Sequence, residues 1–99
     1  MVMKEKVREI LSCFKDLEND KDNKDIVKAI CNKTKELIYD NGNLTITKDL
    51  LDIFEEYGMF IGIQNNTENV PDQYNIYVAY NNKIGVVVDS VSKKDLINE

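Results

Sequence analysis

Apolar residues recur at the 3.6-residue spacing of an amphipathic helix in the first half of the chain and at a two-residue spacing in the second. Val7, Ile10, Leu11, Phe14 and Leu17 form one stripe and predict a helix over 4–18. The polar run ENDKDN at 18–23 ends it. Asp22 or Asn23 can cap a second helix, predicted over 24–40, with Asp25 in the first turn where the helix dipole favours a carboxylate. Its inward positions are Val27, Ile30, Cys31, Thr34, Leu37 and Ile38, and Asn41-Gly42 reads as a left-handed stop. So short a connection pairs the two helices antiparallel, setting Leu17 opposite Val27, Phe14 opposite Ile30 and Cys13 opposite Cys31.

NLTIT at 43–47 is a short β-like piece leading into a third helix over 48–57, with Leu50, Leu51, Phe54 and Tyr57 as its buried stripe and Gly58 as its stop. The period then changes. Strands are predicted at 59–64, 74–80 and 83–89, separated by the loop NNTENVPD at 65–72 and by a turn at Asn81-Asn82. Ser92, with Asp95 three residues on, predicts a short C-terminal helical turn over 93–98. Helices followed by strands give an α+β fold with a three-stranded antiparallel meander, one domain over 1–99.

The hairpin YNIYVAYNNKIGVVVD, 74–89, is apolar on both faces. With a two-residue turn, Tyr80 pairs with Lys83, Val78 with Gly85, Ile76 with Val87 and Tyr74 with Asp89 on one face. Ala79 with Ile84, Tyr77 with Val86 and Asn75 with Val88 make the other, and this steadier apolar run is assigned to the helices. The outer face would then expose Tyr74, Ile76, Val78 and Tyr80, with Val87 beside them. A longer turn, or a bulge at Gly85, shifts the register and exchanges the faces. The C-terminal turn with Leu96 and Ile97, a second copy of the chain (a homodimer), or a different partner could cover that outer strip.

Composition removes most chemistry. There is no histidine and no tryptophan, so catalysis through a histidine base and any His-containing zinc site are excluded. The two cysteines cannot supply four zinc ligands and read as buried structural thiols. DNGNLTITKDLLDIFEEYG approaches a calcium loop, but with Gly42 at the sixth position the first is Leu37 and the twelfth Lys48, not the aspartate and glutamate such a loop needs. The glycines match no phosphate-binding spacing. No catalytic residue, metal or cofactor is therefore assigned.

Eighteen acidic against thirteen basic residues leave a net charge of -5, which disfavours direct nucleic-acid binding and an anionic membrane surface. The N-terminus lacks the apolar core of a signal peptide and no long apolar run spans a bilayer, so a cytoplasmic setting is expected. Asp49, Asp52 and Glu56 share one stripe of the third helix with Glu55 beside them, facing away from the apolar stripe. These carboxylates and the strip Tyr74, Ile76, Val78 and Tyr80 are the candidate partner-binding residues. The expectation is a small acidic, non-enzymatic protein-binding module, with the general character of an inhibitor or immunity-type protein (a phage anti-defence protein, for example) acting on a basic, nucleic-acid-handling partner. The alternatives are a DNA- or ligand-binding regulator on a degenerate winged helix and a homo-oligomeric structural domain. The winged-helix reading lacks a recognition helix, because Gly58 leads directly into strand residues.

Overall fold

The computed structural model describes residues 2–65 and 72–92. The elements run α1 (Val2–Asn19), α2 (Lys24–Ile38), β1 (Tyr39–Asp40), β2 (Asn43–Leu44), α3 (Lys48–Glu56), β3 (Met59–Asn65), β4 (Gln73–Tyr80) and β5 (Ile84–Ser92). The antiparallel sheet has the order β3-β4-β5, a meander, and the fold is α+β as expected. The expected C-terminal turn at 93–98 and most of the loop at 65–72 lie outside the described residues.

Local chemistry sets the helix ends. Asn23 is the N-cap of α2: its side-chain oxygen accepts from the backbone N–H of Asp25 at 3.0 Å and of Ile26 at 3.2 Å, while its amide nitrogen donates to Asp20. Thr47 caps α3 in the same way, accepting from the Leu50 N–H at 3.2 Å. Gly58, at φ +76°, closes α3 by donating its N–H to the Glu55 carbonyl and turns the chain into β3. The second helix stops two residues before the expected Asp40. Asn41 and Gly42 both have positive φ, 53° and 83°, and form the two-residue turn of a miniature hairpin that pairs Tyr39 with Leu44 and Asp40 with Asn43. An Asn-Gly pair serves a helix stop or a hairpin equally, and here the NLTIT segment supplies the return strand.

The helices cover one face of the sheet. Helix α1 touches both α2 and α3, while α2 lies against β5 and α3 against β3. Their antiparallel pairing is clasped outside the core by Lys6 with Glu36, and by Lys33 with Glu9 at 2.7 Å. Val7, Ile10, Phe14 and Leu17 of α1, Ile30 and Ile38 of α2, and Leu50 and Phe54 of α3 close over Met59, Ile61, Ile76, Val78, Val86, Val88 and Val91 of the sheet. The ring of Phe14 stacks on Tyr80 with centroids 5.8 Å apart. Thr34 is the one polar residue among the described buried set, and its hydroxyl has no hydrogen-bond partner there.

The hairpin register overturns the expected face assignment of β4 and keeps that of β5, where Ile84, Val86 and Val88 face the helices and Gly85 and Val87 face away. The turn is one residue longer, 81–83, so Tyr80 pairs with Ile84, Ala79 with Gly85, Val78 with Val86 and Tyr77 with Val87. A bulge then lies between Ile76 and Tyr77, beyond which Ile76 pairs with Asp89 and Tyr74 with Val91. Asn81 and Asn82 take the positive φ values expected of turn residues, 52° and 56°. Lys83 completes the loop by donating its N–H to the Tyr80 carbonyl. Ile76, Val78 and Tyr80, expected outside, are therefore core residues, and Tyr77 and Ala79 face away from the helices. The reason is additive burial. In this register the branched side chains of β4 and β5 share one face, and that face removes more apolar area from water than any other pairing offers.

Candidate interaction surfaces

The acidic surface follows from the amphipathicity of α3. Because Leu50 and Phe54 point into the core, the opposite arc carries Asp49, Asp52, Glu55 and Glu56, all exposed. Lys48 reaches Asp52 one turn away at 3.0 Å, and Lys4 of α1 approaches Glu56 at 3.8 Å. The hydrogen bond to Asp52 holds the Lys48 ammonium above its usual range. Asp49 and Glu55 have no ion pair among the described residues. Met3, Asp49, Asp52 and Ile53 line a shallow groove of about 310 Å³ beside this arc. The four carboxylates thus form one solvated negative patch with an apolar margin, suited to a cationic surface by Coulomb attraction.

The aromatic candidates part company. Ile76 and Val78 are fully buried and Tyr80 nearly so; Tyr74 is half-buried, packed at the margin of the core. None of the first three is a surface residue. The outward positions of the sheet are instead Phe60, Gly62 and Gln64 on β3, Asn75, Tyr77 and Ala79 on β4, and Gly85, Val87 and Ser90 on β5. Phe60 is 58% and Val87 52% exposed, among the most open large apolar side chains of the described residues. Tyr77 leans across β3: a Cβ on Gly62 would sit 2.4 Å from its ring, and its centroid is 6.2 Å from that of Phe60. Gly85, by contrast, opens onto empty space. At the far end the face turns polar, where the Ser90 hydroxyl lies 2.8 Å from the Asn75 side-chain oxygen.

Val87 stands on the outer face as expected, while the missed residues, Phe60 and Tyr77, had one usable signal. A glycine inside a strand commonly marks close approach of another group, and Gly62 stands opposite Tyr77. Beside the sheet, Leu17, Val27, Ile84 and Val86 floor an open groove of about 530 Å³ with Lys21 and Lys83 at its margins.

Reactive chemistry is sparse among the described residues. Both cysteines are free and half-buried. The Cys31 thiol donates to the Val87 carbonyl at 3.3 Å. Burial pushes both thiols up, at Cys13 against the opposing pull of Lys33 and at Cys31 against that of Lys35, so neither is an activated thiolate. Tyr39 donates its hydroxyl to Asp89 at 2.5 Å, and the same carboxylate accepts from the Ser90 N–H. No group of three His, Cys, Asp or Glu side chains is placed to hold a metal ion among the described residues, and no helix there is long and apolar enough to cross a membrane. No family model, curated protein or solved structure matches this chain.

Proposed function

We propose that this protein is a non-enzymatic protein-binding module that presents the acidic arc of α3 to a basic surface on its partner and so occludes it, in the manner of an inhibitor or immunity-type protein. The reading is carried by the concentration of Asp49, Asp52, Glu55 and Glu56 on a single nine-residue helix, all exposed, with Asp49 and Glu55 in no direct ion pair among the described residues and Lys48 the cation they share with Asp52. Unneutralised carboxylates at close spacing repel one another mildly in the free protein. A cationic surface relieves that repulsion on binding, which raises the association rate and selects for partner charge more than it adds raw affinity. Occlusion needs no catalytic group, consistent with the missing histidine base and the unactivated thiols.

The test is affinity capture from cells that express the protein natively, with two baits compared. One is the natural chain and the other carries Asp49→Asn, Asp52→Asn, Glu55→Gln and Glu56→Gln, which keep shape and remove charge. A basic protein retained by the first at low salt, eluted by raised salt and reduced about tenfold or more on the second, supports the reading. Equal retention on both baits sinks it. Duplex DNA at low salt is expected to show no mobility shift with either bait.

A further inference from the structure

We infer that the face of the sheet left uncovered by the described residues is a self-association seam, and that its occupant is a second copy of this chain. Charge is the first argument. The chain is 31% charged, so about three of the eleven outward sheet positions, Gln73 and Ser92 at the strand ends included, should carry a charge; none does. An antiparallel sheet with one wet face ordinarily shows polar and charged residues there. Two molecules of net charge -5 repel, and a charge-free face is where they can meet at least cost. A basic partner gains nothing from this face; it belongs on α3.

Shape is the second argument. A two-fold interface must be self-complementary, so any ridge on it needs a matching hollow on the same surface. Tyr77 leans over Gly62 toward Phe60, and these rings make a ridge along β3. Beside it, Ala79 pairs with Gly85, which meets nothing where a side chain would be, leaving a hollow before Val87. A second copy turned about a two-fold axis sets its ridge in that hollow, with the sheets about 10 Å apart as in other face-to-face packings.

Area sets the strength. Three strands about 4.8 Å apart and about seven residues long give a face of roughly 300 Å² in projection. Burying it in both copies stays below about 1,200 Å², the range of weak and transient contacts, so association is expected toward the upper end of the concentrations tested below.

Sedimentation equilibrium of the full chain from about 10 µM to about 1 mM tests this, at about 0.05 M and about 0.5 M salt. The expected mass rises from 11.4 kDa toward twice that value. Salt should strengthen the dimer by screening like charge, the reverse of its effect on a contact through the acidic arc. This separates failure of the dimer from failure of the proposed function. Val87→Lys sets two ammonium groups against the seam and should weaken association about tenfold or more while leaving the unfolding midpoint nearly unchanged. Gly85→Val fills the hollow and serves if the lysine variant does not fold. Concentration-dependent amide shifts should centre on Phe60, Tyr77 and Val87. A monomer at about 1 mM in high salt overturns the inference and leaves the face to residues 93–99 or to an unlike partner. So does a dimer indifferent to both variants, or one whose shifts centre on α3.

Discussion

The two faces of the sheet are both apolar, yet one is sealed and the other is open. Toward the helices lie Ile61, Ile76, Val78, Val86 and Val88, all buried; away from them lie Phe60, Tyr77, Ala79 and Val87, with Phe60 and Val87 more than half exposed. Apolar character alone does not separate these sets; branching and volume do. The sealed face is rich in Ile and Val, which keep few rotamers to lose, with Met59 and Tyr80 at one end, and it packs against the Leu, Ile and Phe side chains of the helices. The open face interleaves large rings with Gly62, Ala79 and Gly85. Neither strand decides the matter alone, because β4 can offer Ile76, Val78 and Tyr80 or Tyr77 and Ala79. The buried face goes to the pair of sets with the larger summed area, and the turn adjusts the register to deliver it.

The sharpest way to break this comparison is truncation on each face. Ile76→Ala should destabilise the protein by about 3 kcal/mol, since it deletes fully buried methylenes and leaves a cavity in the core. Val87→Ala should cost below about 1 kcal/mol, since half that side chain is already in water. Denaturant unfolding at a concentration too low for association measures both. Should the first variant be too unfolded to analyse, Ile76→Val is expected at about 1 kcal/mol. Equal losses at Ile76 and Val87 would contradict the assignment of faces.

The reversal at the hairpin shows what was legible. All three helices, the three strands and the meander follow from period and capping: Asn23, Thr47 and Gly58 stand where polar and glycine residues end helices for local reasons. The acidic arc was legible too, because a nine-residue helix with Leu50 and Phe54 inward leaves Asp49, Asp52, Glu55 and Glu56 no other direction. The sheet face was not, because one residue in the turn exchanges the faces of β4 relative to β5, and Asn81-Asn82 fits a loop of two residues or of three. The bulge opposite Ile76 and Tyr77 answers to packing against α2 rather than to any local motif. A charge-free outer face is visible only once the register is known.

A smaller effect tests the helix layer above the sealed face. Thr34 occupies an inward position of α2 with a fully buried hydroxyl that has no partner among the described residues. Thr34→Val keeps the shape and removes the desolvated group, so a gain of about 1 kcal/mol in unfolding free energy is expected. No gain would mean the hydroxyl is satisfied in solution, by water or by the Ile30 carbonyl one turn earlier.

Next in size comes the turn itself. Deleting Lys83 joins Asn82 to Ile84 and makes the two-residue Asn-Asn loop without changing the partner of any residue, because Ile84 already faces Tyr80. Both asparagines already hold positive φ, as such a loop requires. The loss should stay within about 0.5 kcal/mol. Deleting Gly85 instead sends Val86 and Val88 to the open face and should unfold the sheet. Amide spectra of the two deletions distinguish a kept register from a broken one.

The least effect is expected where the helix layer meets water. Donation from Lys6 lowers Glu36 below the ordinary carboxylate range, and the bond to Glu9 raises Lys33 above the ordinary lysine range. A carboxylate lowered by folding stabilises the native state above its unfolded value, and that contribution is lost as pH falls through the folded value. An ammonium raised by folding contributes fully below its unfolded value and loses the contribution as pH rises through the folded one. The clasp between α1 and α2 should therefore hold evenly across neutrality and fade at both ends, in acid through Lys6–Glu36 and in strong alkali through Lys33–Glu9. Replacing Lys6 and Lys33 by Met, both in a Cys13→Ala background because Lys33 acts on that thiol, and following the stability difference from that background against pH isolates it. Added salt should shrink the neutral plateau, because all four groups are solvent-facing and screened. A difference that persists unchanged into acid would show that Glu36 gains nothing from its lysine in solution, and that α1 and α2 are held by Phe14, Ile30 and their apolar neighbours alone.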